Sequence, residues 1–117
     1  MTQYLLLHVT DPSAEPWDDL VDPGLLTDWL DERRDDRQPH RGSPIGTRGQ
    51  AKSVAVRGGE VQVTDGPFPE FKEWFMGYDL IDADSMEDAV RIAATHPSAK
   101  IGRLYVLPNV AEWKDER

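Results

Sequence analysis

Asp65 is the residue whose type and setting most directly suggest chemistry. It ends a predicted strand and precedes Gly66 and Pro67, so a rigid turn holds its carboxyl group. Burial raises the pKa of a carboxyl group, and a partly buried Asp65 could therefore act as a general base. The alternative is that its side chain only accepts hydrogen bonds from the following backbone N–H groups and shapes the turn.

His8 is the histidine best placed to work with such a base. It lies near the end of the first predicted strand, on the face shared with Tyr4 and Leu6. An imidazole titrates near neutrality and could exchange a proton with a ligand. We therefore predict His8 and Asp65 as the catalytic pair, with a structural strand histidine as the alternative for His8.

The other two histidines have simpler explanations. His40 lies in a loop rich in basic residues, where it either joins Arg41 and Arg48 around an anion or is exposed to solvent. His96 precedes Pro97 at a predicted helix end, where a cation favours the helix dipole. The spacing of the three histidines matches no local metal-ligand motif, so we predict no metal site.

Charge is distributed unevenly along the chain. Its 117 residues include 22 acidic and 13 basic ones, and the net charge of −9 argues against binding to nucleic acid. Residues 37–57 nevertheless carry five bases and no acid, and we expect Arg41, Arg48 or Arg57 to contact an anionic ligand. In two alternatives, the acidic segment 11–36 binds a basic protein surface, or it pairs with the basic segment of a second copy.

The residues after Asp65 extend the predicted site. Phe68 is expected in the core, with a ligand platform as the alternative, and Lys72 with Glu73 forms either a surface ion pair or a charged neighbour of the site. The chain has no cysteine, phosphate-binding loop or Rossmann glycine pattern, so no cofactor is predicted. It also has neither a secretory signal nor an apolar run long enough to span a membrane, and we expect a cytoplasmic protein.

Hydrophobic alternation and turn residues predict the elements that position these side chains. Asp22 is expected to cap the first helix, and Ser85 the second. Gly58–Gly59 predicts a tight hairpin whose buried face is formed by valines at 54, 56, 61 and 63. The predicted strands are residues 3–9, 52–57, 60–64, 77–83 and 102–107. We expect one domain over residues 1–110 and a charged tail over 111–117.

This order of elements predicts an α+β fold of the ferredoxin-like βαββαβ type. Four antiparallel strands would form one sheet, with two helices on one face. Tyr4 and Leu6 of the first strand, with Tyr105 and Leu107 of the last, are expected on the face without helices. Because such an apolar face seldom stays exposed, we predict a homodimer that encloses a chamber between two sheets.

Residues 64–84, TDGPFPEFKEWFMGYDLIDAD, resemble the signature of the YCII-related proteins, specifically the branch named for its Asp-Gly-Pro-Phe motif. The matching positions are Asp65, Gly66, Pro67, Phe68, Glu70, Lys72, Glu73 and Gly77. The resemblance implies a dimeric α+β barrel. Some relatives are regarded as enzymes because a histidine and an aspartate meet between sheet and helices, and one eliminates chloride from a chlorinated aromatic compound. The first predicted helix here has no histidine, so that pair is not reproduced there.

Together these features favour a homodimer that binds a polar or anionic small molecule. We expect a cofactor-independent elimination, isomerisation or hydrolysis, with Asp65 and His8 handling the proton. Arg41, Arg48, Arg57, Phe68 and Lys72 are the predicted ligand contacts. The alternative is a non-catalytic accessory or ligand-sensing protein linked to sigma-factor regulation, because members of the resembled branch often accompany alternative sigma factors.

Overall fold

A computed structural model describes residues 1–14, 23–32 and 41–115. The predicted helix cap Asp22 and the candidate His40 lie outside these residues. The strands are β1 (Thr2–Thr10), β2 (Gly42–Pro44), β3 (Lys52–Arg57), β4 (Glu60–Asp65), β5 (Phe75–Ala83) and β6 (Gly102–Pro108). The α-helices are α1 (Pro23–Glu32), α2 (Met86–Ala94) and α3 (Ser98–Ile101).

The predicted fold class is confirmed, but one strand of the main sheet differs from the prediction. The sheet is antiparallel and its order is β2-β5-β1-β6, the arrangement of a ferredoxin-like fold. Its edge strand β2 was not predicted, because three residues that include Gly42 and Pro44 show no alternation. A Cβ atom at Gly77 would lie 2.8 Å from the carbonyl oxygen of Ser43, so glycine lets β2 approach β5.

The predicted hairpin forms, but it makes a two-stranded sheet of its own. Gly58 and Gly59 have φ values of 57° and 81°, as the predicted turn requires. The valine face, formed by Val54, Val56, Val61 and Val63, is 56–68% exposed, so the prediction that it is buried was wrong. Alternation places the four valines on one side of the hairpin, but it does not reveal whether another element covers that side.

The helices cover the opposite face of β1 from the one predicted. Tyr4 and Leu6 are buried beneath α1 and α2 in a core with Trp29, Ala89 and Ala93. The placement of Tyr4, Leu6 and His8 on the face without helices was therefore wrong. Both faces of β1 are apolar, so alternation alone could not choose between them.

The other face of the main sheet, called the open face below, carries Tyr105 and Leu107 as predicted. The strand register aligns Leu7 with Tyr105 and Leu5 with Leu107 on this face. Tyr78 on β5 faces the same side, opposite Leu7, and all three β5 and β6 side chains are exposed. Among the described residues, no helix is long and apolar enough to cross a membrane.

Candidate functional site

Four polar side chains meet in the layer between the main sheet and the helices. His8 belongs to β1, Asp79 to β5, His96 to the segment that joins α2 to α3, and Ser98 is the first residue of α3. The register pairs Leu6 with Asp79, so Asp79 and His8 point to the same, helix-covered face. His8, Asp79 and Ser98 are only 3–6% exposed.

His8 makes a hydrogen bond with each of its ring nitrogens. Its Nε2 atom lies 2.6 Å from Oδ2 of Asp79, and its Nδ1 atom lies 2.5 Å from Oγ of Ser98. These two contacts fix the plane of the ring and hold it against a carboxylate. An imidazole oriented by a buried carboxylate is the arrangement that enzymes use for general acid–base catalysis.

His96 completes the cluster from the other side of Ser98. Its Nδ1 atom accepts a hydrogen bond from the backbone N–H of Ser98 at 3.0 Å, and it lies 2.7 Å from Oγ of that residue. Its Nε2 atom is 3.8 Å from Oδ2 of Asp79, beyond hydrogen-bonding distance. The rings of His8 and His96 have centroids 4.3 Å apart.

Trp29 of α1 lies on the outer side of this cluster. Its ring meets that of His96 edge-to-face, with centroids 4.7 Å apart. Its Nε1 atom donates to Oγ1 of Thr95 at 3.0 Å and contacts the carbonyl oxygen of Ile92 at 3.3 Å. Trp29 therefore connects α1 to the C-terminal end of α2 through these contacts, and its ring covers the imidazole cluster.

His8, Asp79 and His96 are also the residues that could approach a metal ion, since each offers a ligand atom within 4.8 Å of the others. A metal needs an unprotonated nitrogen from each imidazole. Because Nδ1 of His96 accepts an N–H bond, a neutral His96 carries its proton on Nε2, the atom that faces Asp79. The observed hydrogen bonds therefore suit proton transfer better than metal binding.

A family comparison identifies the class of protein that carries this cluster. The model of the YCII-related domain matches residues 2–114, which is nearly the whole chain. The chain belongs to the YCII-related family. A search of curated proteins found no significant match. A His–Asp pair lies between the sheet and the helices of this YCII-related chain, and its histidine, His8, comes from β1.

The structure does not bring Asp65 and His8 together in this YCII-related protein. Asp65 ends β4 in the separate hairpin, its side chain is 73% exposed, and its carboxylate contacts Nζ of Lys52. Both ring nitrogens of His8 have other partners, and Asp79 is the carboxylate beside it. The prediction that Asp65 lies next to His8 in a partly buried site was therefore wrong.

The predicted ligand contacts also lie away from the partners of His8. Arg41 is 3.5 Å from Asp82, on the exposed side of β5. Arg48 lies over the ring of Trp74 at 5.6 Å, and Arg57 donates to its neighbouring carbonyl group at the hairpin tip. Phe68 is buried and stacks on Trp74, and Lys72 accepts a hydrogen bond from Arg48 through its carbonyl oxygen.

A second polar group lines a cleft of about 510 Å³ beside α3. Arg103 donates from Nε and Nη2 to Oδ2 of Asp11, at 3.1 and 2.9 Å. The hydrogen bond from the hydroxyl of Ser13, helped by Arg103, holds the pKa of Asp11 below its usual value. Lys100 also lines the cleft, and Ala99 connects it to Ser98 along the chain. The cleft thus contains one basic side chain from α3, Lys100, and one from β6, Arg103, whose charge is paired with Asp11.

Sequence reasoning missed Asp79 and Ser98. A signal for Asp79 was available: on the covered face, β1 and β5 each contain one side chain that can carry a full charge near neutral pH, His8 and Asp79. Two such residues on neighbouring strands can form a hydrogen bond with each other when the strand register places them side by side. Ser98 gave no comparable signal, because its role depends on how the chain turns after Pro97.

Proposed function

We propose that this YCII-related protein binds a small anionic molecule and acts on it as a cofactor-independent acid–base enzyme. His8 would exchange the proton and Asp79 would orient and charge-balance its ring. The observation that carries this proposal is the buried contact of 2.6 Å between Nε2 of His8 and Oδ2 of Asp79. The reaction classes it suits are elimination, isomerisation and hydrolysis, in which one proton moves to or from the substrate.

The cleft beside α3 supports an anionic ligand. Lys100 supplies positive charge there, and Arg103 lines the same cleft while paired with Asp11; the chain as a whole carries a net charge of −9. A local cationic surface on an acidic protein favours small anions over large polyanions, because the rest of the surface repels the latter. We therefore assign ligand charge recognition first to Lys100, with the Asp11-paired Arg103 beside it, in place of the arginines of residues 41–57.

Binding and conversion can be tested with one panel of small carboxylates, sulfonates and phosphate esters. Added to ¹⁵N-labelled protein, members that bind should shift the amide signals of α3 and of the His8 neighbourhood. Proton NMR of the same samples follows their conversion. We expect His8→Gln to slow the conversion of any substrate by about 10²–10⁴-fold, because a positioned general acid or base contributes about that much.

Asp82→Asn is the matched control, since Asp82 lies three residues after Asp79 on β5 and faces away from the cluster. It should convert the substrate at nearly the wild-type rate. Equal rates for wild type and His8→Gln would contradict the catalytic role of His8. Binding without conversion of any panel member would favour the alternative function described next.

The alternative is a ligand-sensing or accessory protein. One observation favours it: the side chains of the cluster are nearly inaccessible, as a structural polar network would be. We also propose that the chain belongs to the branch with the Asp-Gly-Pro-Phe motif, supported by Asp65 to Phe68 of its sequence. A role beside sigma-factor regulators would follow from that membership.

We further propose a homodimer, because two apolar surfaces are exposed on the described chain. One is the open face with Tyr78, Tyr105 and Leu107, and the other is the valine face of the hairpin. A two-stranded hairpin is marginally stable alone, so its valine face needs a lasting partner. A second copy of the chain can cover both surfaces through a two-fold interface.

Leu107→Lys should convert the dimer to a monomer, because a two-fold interface would bury two copies of the new charge. Light scattering coupled to size-exclusion chromatography measures the mass directly. Val61→Lys tests the valine face in the same way, and Val110→Lys, at an exposed position after β6, is the control. A wild-type protein with the mass of one chain at micromolar concentration would contradict the dimer.

A further inference from the structure

We infer that Asp11 sets the charge of the ligand that the cleft beside α3 accepts, so that the cleft binds small monoanions in preference to dianions. The inference deepens the proposed function and rests on it for the place where the charge of the ligand is recognised. It narrows the ligand class to monocarboxylates, sulfonates and sulfate monoesters, and it disfavours phosphate monoesters.

Asp11 contributes a fixed negative charge to the lining of the cleft. The backbone N–H and the hydroxyl of Ser13 donate to its Oδ1 atom at 2.9 and 2.7 Å, and Arg103 donates to its Oδ2 atom. These contacts, with the Ser13 hydroxyl the strongest, hold the pKa of Asp11 below its usual value. The side chain of Asp11 is 12% exposed and carries a full negative charge at neutral pH.

Arg103 lines the same cleft, but carboxylates already balance its charge. Its Nε and Nη2 atoms lie 3.1 and 2.9 Å from Oδ2 of Asp11. After Asp11, Glu73 is the next negative charge that raises the pKa of Arg103. Glu73 itself accepts a hydrogen bond from the hydroxyl of Tyr105 at 2.9 Å. A guanidinium group paired in this way attracts a further anion less strongly than a free one does.

Lys100 supplies the positive charge that is left for a ligand. Its side chain is exposed in the cleft, and among the described residues its ammonium group has no hydrogen-bond or ion-pair partner. Two cations and one carboxylate, Lys100 and Arg103 against Asp11, leave the lining with one net positive charge. A ligand with one negative charge matches this lining.

A second negative charge on the ligand gains little, because it also meets the carboxylate of Asp11. A ligand that touches Arg103 lies close to Asp11, since these two side chains are in contact. Two unit charges about 4–6 Å apart in water change a binding constant by about 3–5-fold. Repulsion by Asp11 therefore weakens the binding of a monoanion by this factor once and that of a dianion by this factor twice.

Methyl sulfate and methyl phosphate test the inference, because they have nearly the same shape and differ in charge. At about pH 8 methyl sulfate carries one negative charge and methyl phosphate carries about two. Each is titrated into ¹⁵N-labelled protein at constant ionic strength, and the amide shifts of residues 99–103 give the two dissociation constants. In wild type we expect methyl sulfate to bind at least as tightly as methyl phosphate.

Asp11→Asn keeps a side-chain oxygen as an acceptor and removes the charge. It should tighten the binding of methyl sulfate by about 3–5-fold and that of methyl phosphate by about 10–25-fold, so the preference moves toward the dianion. Asp65→Asn is the matched control, because it makes the same change in net charge outside the lining of the cleft. It should leave the preference unchanged. Lys100→Gln should weaken the binding of both ligands.

Tighter binding of methyl phosphate to wild type, or an unchanged preference in Asp11→Asn, would overturn the inference. Absent shifts at residues 99–103, or shifts scattered over the surface as adventitious ions produce, would also overturn it. If Asp11→Asn does not fold, the wild-type preference and the weaker binding to Lys100→Gln decide, because the ammonium group of Lys100 has no partner whose loss could unfold the chain.

The titrations also separate this inference from the proposed function, because they need no turnover. A cleft that selects monoanions, in a protein that converts no member of the panel, would contradict the proposed enzymatic activity and leave the role of Asp11 standing. Conversion of a substrate that leaves the amides of residues 99–103 unshifted would support the activity and overturn the role of Asp11.

Discussion

Asp79→Asn should destabilise the protein by about 1–3 kcal/mol, the range for leaving a buried polar group without its hydrogen-bond partner. Asp79 is 5% exposed and contacts His8 at 2.6 Å, so the variant leaves the His8 ring in the protein interior without its carboxylate partner. Urea unfolding followed by circular dichroism measures the change in the free energy of unfolding.

The control for this loss is Asp82→Asn. Asp82 lies on the same strand, is largely exposed and approaches Arg41 only at 3.5 Å. A surface pair of this kind contributes about 0–1 kcal/mol. Similar losses of unfolding free energy for the two variants would mean that the buried His8–Asp79 contact stabilises the fold no more than a surface pair does.

Trp29→Ala should have the second large effect, about 3–5 kcal/mol, typical of truncating a buried aromatic residue. The substitution leaves a cavity between α1 and the sheet and removes the ring that packs on His96. It also removes the donor to Oγ1 of Thr95. We expect α1 to separate from α2 more readily, with faster amide exchange in α1 than in β1.

The chain contains matched controls for this prediction. Trp113 is 80% exposed, and Trp113→Ala should change the free energy of unfolding by less than about 0.5 kcal/mol. Trp29→Phe keeps an aromatic ring and loses the indole N–H, so its cost should be smaller than that of Trp29→Ala. Equal free energies of unfolding for Trp29→Ala and Trp113→Ala would contradict the inference that Trp29 holds α1 against α2.

Much of the fold could be predicted from local features of the sequence. Alternation located β1, β5 and β6, Gly58–Gly59 located the hairpin, and Ser85 caps α2 through the N–H of Asp88 as predicted. The edge strand β2 was missed because it is short and depends on pairing with β5. The covered face of β1 was misassigned because both faces are apolar.

The site was harder to predict because it depends on pairing between distant segments. His8 was found from its position in an apolar strand, but its partner lies 71 residues away and is chosen by strand register. Asp65 was selected because of the turn residues that follow it. A turn motif predicts the local backbone conformation, but it does not predict which side chain lies opposite the turn in the folded chain. Lys52 faces Asp65 because the hairpin register pairs these two positions.

The ring ¹⁵N signals of His8, recorded while an anion from the panel is titrated into the protein, test the central claim most directly. If the buried His8–Asp79 pair meets the ligand, the His8 signals should shift in proportion to saturation. The same anion should leave them unshifted in Asp79→Asn if the pair is needed to hold the ring. Full saturation with unchanged His8 and His96 signals would place the ligand elsewhere and contradict the account.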